Sequence, residues 1–297
     1  MGAIILATGI STDKSVKSSI DHAAIAAKQC IANAKIKAED ITLIINNGNF
    51  RDSNIVEPAI ALLIQKQLGI NLDFIKANNG KDAFGLDLMN GGIGALNAMK
   101  IADAFLQSDF TRYVLIVGGD SHPSNNNPAD FPYTTVGSAI LLGKNADPKR
   151  GFQGFDFKSE EFAGQGRLAY FEAKNMGADG RNRLTVKSAP GYIPAALKLA
   201  ANTARSFVEA HKIPTAKLTL ISSQLDAAFA KGLGKEIGLP SAAAMDLFSQ
   251  FGDTHSSTFG VGYHQLQKQG LTKPGSQILF VGAAAGLDSG VAHYVSS

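Results

Sequence analysis

The chain has 297 residues, 45% hydrophobic and 18% charged, a balance that suits one large or two smaller globular domains and excludes a disordered chain. A formal net charge of +3 is too small to imply nucleic acid, and a single cysteine, Cys30, excludes an internal disulfide and a cysteine metal site. That cysteine usage favours a reducing, cytoplasmic setting, and no apolar run reaches the ~18 residues of a membrane span.

In chain order, apolar β-rich runs alternate with Ala-rich helical runs. The apolar start, Met1–Gly9, lacks a basic flank and reads as a strand rather than a signal peptide. Strands are expected at Ala3–Thr8, Leu43–Asn47, Tyr113–Gly118, Ser138–Leu142, Leu218–Ser222, Gln277–Val281 and Val291–Val295. Helices are expected at Asp21–Ala34, Glu57–Leu68, Ile93–Ser108, Ile193–His211, Ala227–Ile237 and Ser257–Gln269. Such alternation implies crossover units and a largely parallel sheet. Cys30, set among Ala23, Ala26, Ala27 and Ala34, reads as core packing.

The sequence also repeats itself. Lys35-Ile36 followed by Ile41-Thr42-Leu43-Ile44 returns as Lys212-Ile213 followed by Leu218-Thr219-Leu220-Ile221. Gln67-Leu68-Gly69-Ile70 returns as Glu236-Ile237-Gly238-Leu239, and Tyr113–Gly118 returns as Gln277–Gly282. The landmarks keep their order while the offset shrinks from 177 through 169 to 164 residues. Two halves are therefore expected, 1–145 and 146–297. The stretch Gly151–Tyr192, rich in Gly, Phe and charge (Phe152, Phe155, Phe157, Phe162, Arg167, Arg181, Arg183), is expected to be a low-order insertion, either functional or a surface excursion.

Three stretches carry a likeness to a known family: the Ile41–Ile45 strand after a Lys-Ala-Glu-Asp turn, Ala102–Ser108 leading into Tyr113–Asp120, and Phe280–Gly290 near the end. The chain resembles the thiolase-like superfamily, in particular ketoacyl-carrier-protein synthase III. The resemblance implies an α/β thiolase-like fold, with two duplicated βαβαβ-type halves related by a pseudo-twofold axis and stacked as five αβαβα layers. The front departs from the pattern. Thr8 and Asp21 lie a dozen residues apart where the family has a long segment, and there is no Trp to stack on the adenine of coenzyme A.

Family members use a Cys at a helix N-terminus to take the acyl chain, with a His and an Asn to assist decarboxylation and hold the enolate oxygen. The resemblance places the Cys in Leu86-Asp87-Leu88-Met89-Asn90-Gly91-Gly92-Ile93-Gly94, where its position falls on Gly92. It places the His in Ile221-Ser222-Ser223-Gln224-Leu225-Asp226, on Ser223, and the Asn in Gly252-Asp253-Thr254, on Asp253. Decarboxylating condensation by the usual route is thus expected to be absent.

Other side chains suggest a replacement site. Ser223 or Ser256 with His255 and an Asp (Asp226 or Asp253) would form a nucleophile–base–orienter set, although Ser and Asp at turns are commonly caps. His122, in Asp120-Ser121-His122-Pro123 after a strand end, sits where α/β ligand sites cluster. Asn125-Asn126-Asn127-Pro128 reads as a polar loop. Asn90–Gly94 has exposed amides able to hold an anion or carbonyl oxygen but lacks a phosphate-loop spacing. Lys231 and Lys235 could dock an acidic carrier protein. No cofactor or metal is expected. The leading expectation is a non-catalytic subunit paired with an active ketosynthase-like partner, or with itself as a dimer. The alternatives are an acyl transferase, thioesterase or cyclase with a non-standard site, or an acyl- or carrier-protein-binding module.

Overall fold

The computed structural model describes residues 2–73, 82–125, 128–161, 166–171, 174 and 183–297. Phe162, Arg181, Asn126 and Asn127, singled out above, lie outside the described residues.

The first half builds a five-stranded sheet from β1 (Gly2–Ser11), β2 (Ile41–Asn46), β3 (Phe84–Asp87), β4 (Tyr113–Gly119) and β5 (Gly137–Asn145), in the order β1-β5-β4-β2-β3. Helices α1 (Ser19–Ala34) and α2 (Ile60–Leu68) pack on its outer face, and α3 (Gly94–Phe105) lies on the other. The second half orders β6 (Gly151–Ser159), β9 (Leu218–Ser222), β10 (Gln277–Ala284) and β11 (Asp288–Val295) as β6-β11-β10-β9. Between β6 and β9 come a small hairpin, β7 (Arg167–Tyr170) with β8 (Thr185–Ser188), and helix α4 (Tyr192–Ala210). After β9 follow α5 (Phe229–Glu236), the short α6 (Phe248–Phe251) and α7 (Thr258–Lys268).

The two sheets share one wiring. In each, the first strand pairs antiparallel with the last, the last pairs antiparallel with the one before it, and that strand pairs parallel with the strand following the first long helix. Even β3 has a counterpart, since Leu220 of β9 makes an isolated parallel bridge to Ala244. Helices α3 and α7 touch both sheets, while α1 and α2 cover one outer face and α4 and α5 the other. The result is five layers, αβαβα. The middle layer explains the burial: β4, β5 and β10 have apolar residues on both faces because helices lie on both sides.

All six expected helices and seven expected strands are present, with ends differing by a few residues. The 151–192 stretch carries more order than expected. It opens with β6, a full strand of the second sheet in register with β11, and Phe152 packs in the core beside Phe280 and Tyr294. Its Gly-Phe alternation (Gly151-Phe152, Gly154-Phe155) hid a strand in which Gly154 lets α4 approach: a Cβ there would stand 3.3 Å from the Phe207 ring.

Cys30 is fully buried and its Sγ donates to the Ala7 carbonyl at 3.3 Å. Burial pushes the thiol up to about 12. Native protein should therefore leave a thiol-specific disulfide reagent unreacted at neutral pH and titrate one thiol after denaturation; rapid labelling of the folded chain would contradict this packing.

Candidate functional site

The C-terminal ends of β2 and β4, the start of α3, the β9 end and the β10–β11 hairpin converge between the two sheets. Carboxyl ends of strands are where open α/β sheets leave room for ligands. At the centre is the tip of α3, approached through one 3₁₀ turn, Gly91–Ile93. Gly91 has φ +48°, which a glycine adopts without a Cβ penalty. Gly92 is pressed against β10: a Cβ there would lie 2.5 Å from the Ala283 carbonyl oxygen and 3.4 Å from Ser223 Oγ. The structure thus brings Gly92 and Ser223 together. Ser223 Oγ accepts the Ala283 amide at 3.0 Å and donates to the Ala283 carbonyl at 3.4 Å, so its hydroxyl is committed to the strand.

His255 stands on the other side of the tip. Its Nε2 is 3.4 Å from where a Cβ on Gly91 would be. Its Nδ1 is 2.8 Å from Asp120 Oδ2. Asp120, at the end of β4, is 1% exposed and fully engaged. It accepts the amides of Asn49 at 2.7 Å, Phe50 at 2.6 Å and Ser256 at 3.1 Å in addition to the imidazole. Burial alone would raise this carboxyl, but the charge and hydrogen bonds of His255 and the amide donors outweigh it and hold it below the usual carboxylate range. A carboxylate fixed in this way orients an imidazole with its Nδ1 proton inward and Nε2 outward.

The imidazole is also boxed by rings. Tyr133 lies over it with centroids 4.2 Å apart, and Phe50 is 5.5 Å away. His255 itself has φ +45°, a left-handed conformation unusual for a side-chain-bearing residue. That turn is held by its neighbour: Asp253 Oδ1 accepts the His255 amide at 3.0 Å. Asp253 Oδ2 meets Arg167 Nη1 at 3.2 Å, and both side chains are nearly buried. Arg167 lies against the rings of Tyr133 and Tyr192, and its Nε donates to Ser188 Oγ at 2.9 Å. Burial, opposed by His255 and Arg167, leaves Asp253 above its ordinary range. Arg167, against the pull of burial, is held more firmly protonated by Tyr133 and Asp253. The β7–β8 hairpin is thereby pinned to the site through a buried ion pair.

The remaining sequence candidates fall elsewhere. Asp226 is half-buried and accepts the Ala228 amide at 2.8 Å, a local cap outside the hydrogen-bonded cluster. The orienter of His255 is Asp120 rather than Asp226 or Asp253. His122 is buried but bonded to Ser124 Oγ at 2.6 Å; its ring reaches the site through Phe131, which packs on Phe50. Ser256 Oγ is buried without a partner among the described residues. Lys231 and Lys235 are exposed on α5. Sequence reasoning missed Asp120 as the His255 partner, although a carboxylate at the end of an apolar strand was a usable signal. It named Arg167 as one charge of the 151–192 stretch and did not single out Tyr133 or Phe50, because the contacts of all three depend on long-range approach.

A cleft of about 490 Å³ opens beside the tip, lined by Asn49, Phe50, Met89, Gly91, Tyr170 and Phe171 among others. Two of these residues adjoin His255: its ring is 5.5 Å from that of Phe50, and its Nε2 is 3.4 Å from where a Cβ on Gly91 would be. Among the described residues no group of three or more His, Cys, Asp or Glu side chains is gathered to hold a metal, and no helix is long and apolar enough to cross a membrane.

Residues 210–295 match the family described as 3-oxoacyl-(acyl-carrier-protein) synthase III C terminal. The chain is 25% identical over 279 residues to a beta-ketoacyl-(acyl-carrier-protein) synthase III of Granulibacter bethesdensis, covering 91% of this chain and 82% of that one. The corresponding enzyme of Listeria monocytogenes is 24% identical over 276 residues, 91% of this chain and 81% of the relative. Among solved structures, FabH of Pseudomonas aeruginosa superposes with a TM-score of 0.82 at 16% identity, covering 100% of this chain and 98% of that chain. OleA of Xanthomonas campestris does so with 0.82 at 17%, covering 99% and 98%. A further OleA structure carries bound lauric acid and lauroyl-CoA.

Proposed function

We propose that this chain, a ketoacyl-synthase-III-like protein with a thiolase-like fold, holds acyl thioesters in the cleft beside α3 without forming an acyl-enzyme on that helix. The observation that carries the reading is Gly92. The family nucleophile position, as the motif spacing assigns it, has no side chain and is closed by the Ala283 carbonyl, which leaves no space for a thiol without moving β10. Around it, Ser223 takes the family His position and is tied to the main chain, and Asp253 takes the Asn position and is tied to Arg167 and the His255 amide. A carboxylate in an ion pair offers no donor to an enolate. Decarboxylating condensation through these three positions has none of its groups.

The same reading extends to a partner. Strand β3 is an edge of its sheet, bonded to β2 among the described residues, and its Phe84 is 59% exposed. An open strand edge with an exposed aromatic side chain supports pairing with a ketosynthase-like subunit or with a second copy. Pull-down from the native host with a tagged chain tests this: a ketosynthase-like subunit should be recovered in stoichiometric amount. Recovery of a homodimer alone, in cells that make such a subunit, would remove the partner reading.

Docking of an acyl carrier protein is assigned to the exposed lysines of α5. Lys231→Glu with Lys235→Glu should weaken binding of a carrier protein about 5- to 30-fold at low salt, and less as salt rises. Surface plasmon resonance at two ionic strengths measures this; equal affinities for wild type and variant would move docking off α5.

A further inference from the structure

We propose that His255, oriented by Asp120, is a general base that activates water for direct attack on a thioester carbonyl lodged at the Gly91–Gly92 tip of α3. The inference rests on the acyl-thioester reading of the cleft and adds a reaction to it: hydrolysis without a covalent intermediate.

Four observations converge. First, His255 is 7% exposed and its Nε2 faces the helix tip, 3.4 Å from where a Cβ on Gly91 would stand. Gly91 carries no side chain to bond that nitrogen, which leaves its lone pair available on the side of the tip. Second, Nδ1 is committed to Asp120, so the open nitrogen is the one able to accept a proton. Third, the backbone at His255 is left-handed at φ +45° and is clamped by Asp253 before it and by Asp120, through the Ser256 amide, after it. Strain retained against such clamps marks a side chain whose direction matters. Fourth, Asn49 Oδ1 and Ser256 Oγ, on the residues flanking the dyad, are buried without partners among the described residues, and Asn49 lines the cleft.

The bare Gly91 is what makes room. With no side chain at position 91, a thioester carbonyl can approach the helix tip on the side that His255 Nε2 faces, and the N-terminal end of a helix favours the oxygen's developing negative charge. Water loses a proton to His255 Nε2 as its oxygen bonds to the carbonyl carbon. The tetrahedral intermediate then collapses, the C–S bond breaks, and the imidazolium returns the proton to the departing sulfur. One thioester and one water give one carboxylic acid and one thiol, with no oxidant or cofactor. Ser223 is not the nucleophile, because both directions of its hydroxyl are taken by Ala283. The charged and titratable groups facing His255 are Asp120, Asp253, Tyr133 and, behind Asp253, Arg167.

Octanoyl-pantetheine is the probe, followed by thiol release in ¹⁸O-water, with a non-hydrolysable thioether analogue for binding. The wild-type chain should bind the analogue, release thiol, and place one ¹⁸O in the octanoate with no acyl adduct on the protein. His255→Gln should lower turnover about 100-fold or more while keeping analogue affinity and the melting midpoint. Asp120→Asn should lower kcat while KM and analogue affinity stay near wild type; a purely structural role would raise KM and weaken the analogue as well. Failure to bind the analogue would overturn the acyl-thioester reading itself. Binding without thiol release, an unaffected His255→Gln variant, or an acyl adduct on Ser223 or Ser256 would overturn the dyad and leave the binding role standing.

Discussion

Replacing Arg167 by Met should destabilise the fold by about 3–5 kcal/mol at neutral pH, the cost of leaving a buried charge without its partner. The pair is 7% and 5% exposed, Asp253 Oδ2 has no other hydrogen bond among the described residues, and Arg167 also fills the space between the Tyr133 and Tyr192 rings. The sign of the pH dependence separates this from lost packing. The Asp253 carboxyl already lies above its ordinary range through burial, and removing the guanidinium takes away one of the influences that lower it. A group whose folded pKa is raised favours the folded state when protonated, so the deficit should shrink as pH falls from about 7 to about 4.5. Asp120 works in the opposite direction: held below its ordinary range, it contributes stability that is lost as pH falls through that lowered value. Urea unfolding at the two pH values measures the difference. A deficit equal at both would mean that Asp253 is already neutral in the native protein. The double replacement Arg167→Met with Asp253→Asn should recover much of the loss, since the amide removes the unpaired charge and keeps an oxygen for the His255 amide.

The same pair shows where reading a sequence stops. The helices and strands of both halves were legible because each is written in its own residues: apolar runs of strand length, Ala-rich stretches of helical length, and Gly69 and Gly238 at helix ends. The duplication was legible because it repeats those local patterns, and the sheet orders agree with it. Strand β6 was missed because its Gly-Phe alternation looks like a loop until α4 packs across it. Strand β3 was missed because four residues, Phe84–Asp87, are too few to show a period. The site was half legible. The helix tip and the Gly252–Ser257 turn could be placed from motif spacing, so Gly92, Ser223, Asp253 and His255 were all named. Their partners could not: Asp120 is 135 residues from His255 and Arg167 is 86 residues from Asp253, and no local pattern announces a contact made only when two sheets close on a shared layer of helices.

Gly92→Cys, which places a thiol where motif spacing puts the nucleophile of ketoacyl synthases III, should not create an acyl-enzyme. A thiol at a helix N-terminus is ordinarily a good nucleophile, because the dipole favours its thiolate. Here the backbone offers no place for it. The new Cβ would meet the Ala283 carbonyl oxygen at 2.5 Å, and the obstacle is main chain near the C-terminal end of β10, not the end of a flexible side chain. Overpacking of this kind costs about 1–3 kcal/mol, and Gly92→Ala should show nearly the same loss, because the collision belongs to Cβ and not to sulfur. Nor would the thiol find a base in the family manner. The side chain nearest it is Ser223, bonded to Ala283, whereas the open imidazole of His255 faces Gly91. Intact-protein mass spectrometry after incubation with octanoyl-CoA should find no octanoyl adduct on the introduced thiol, and thermal melting should place both variants together below the wild type. An adduct formed at wild-type stability would mean that β10 yields readily at Ala283; the closure of the tip would then be a feature of the resting chain that substrate can open.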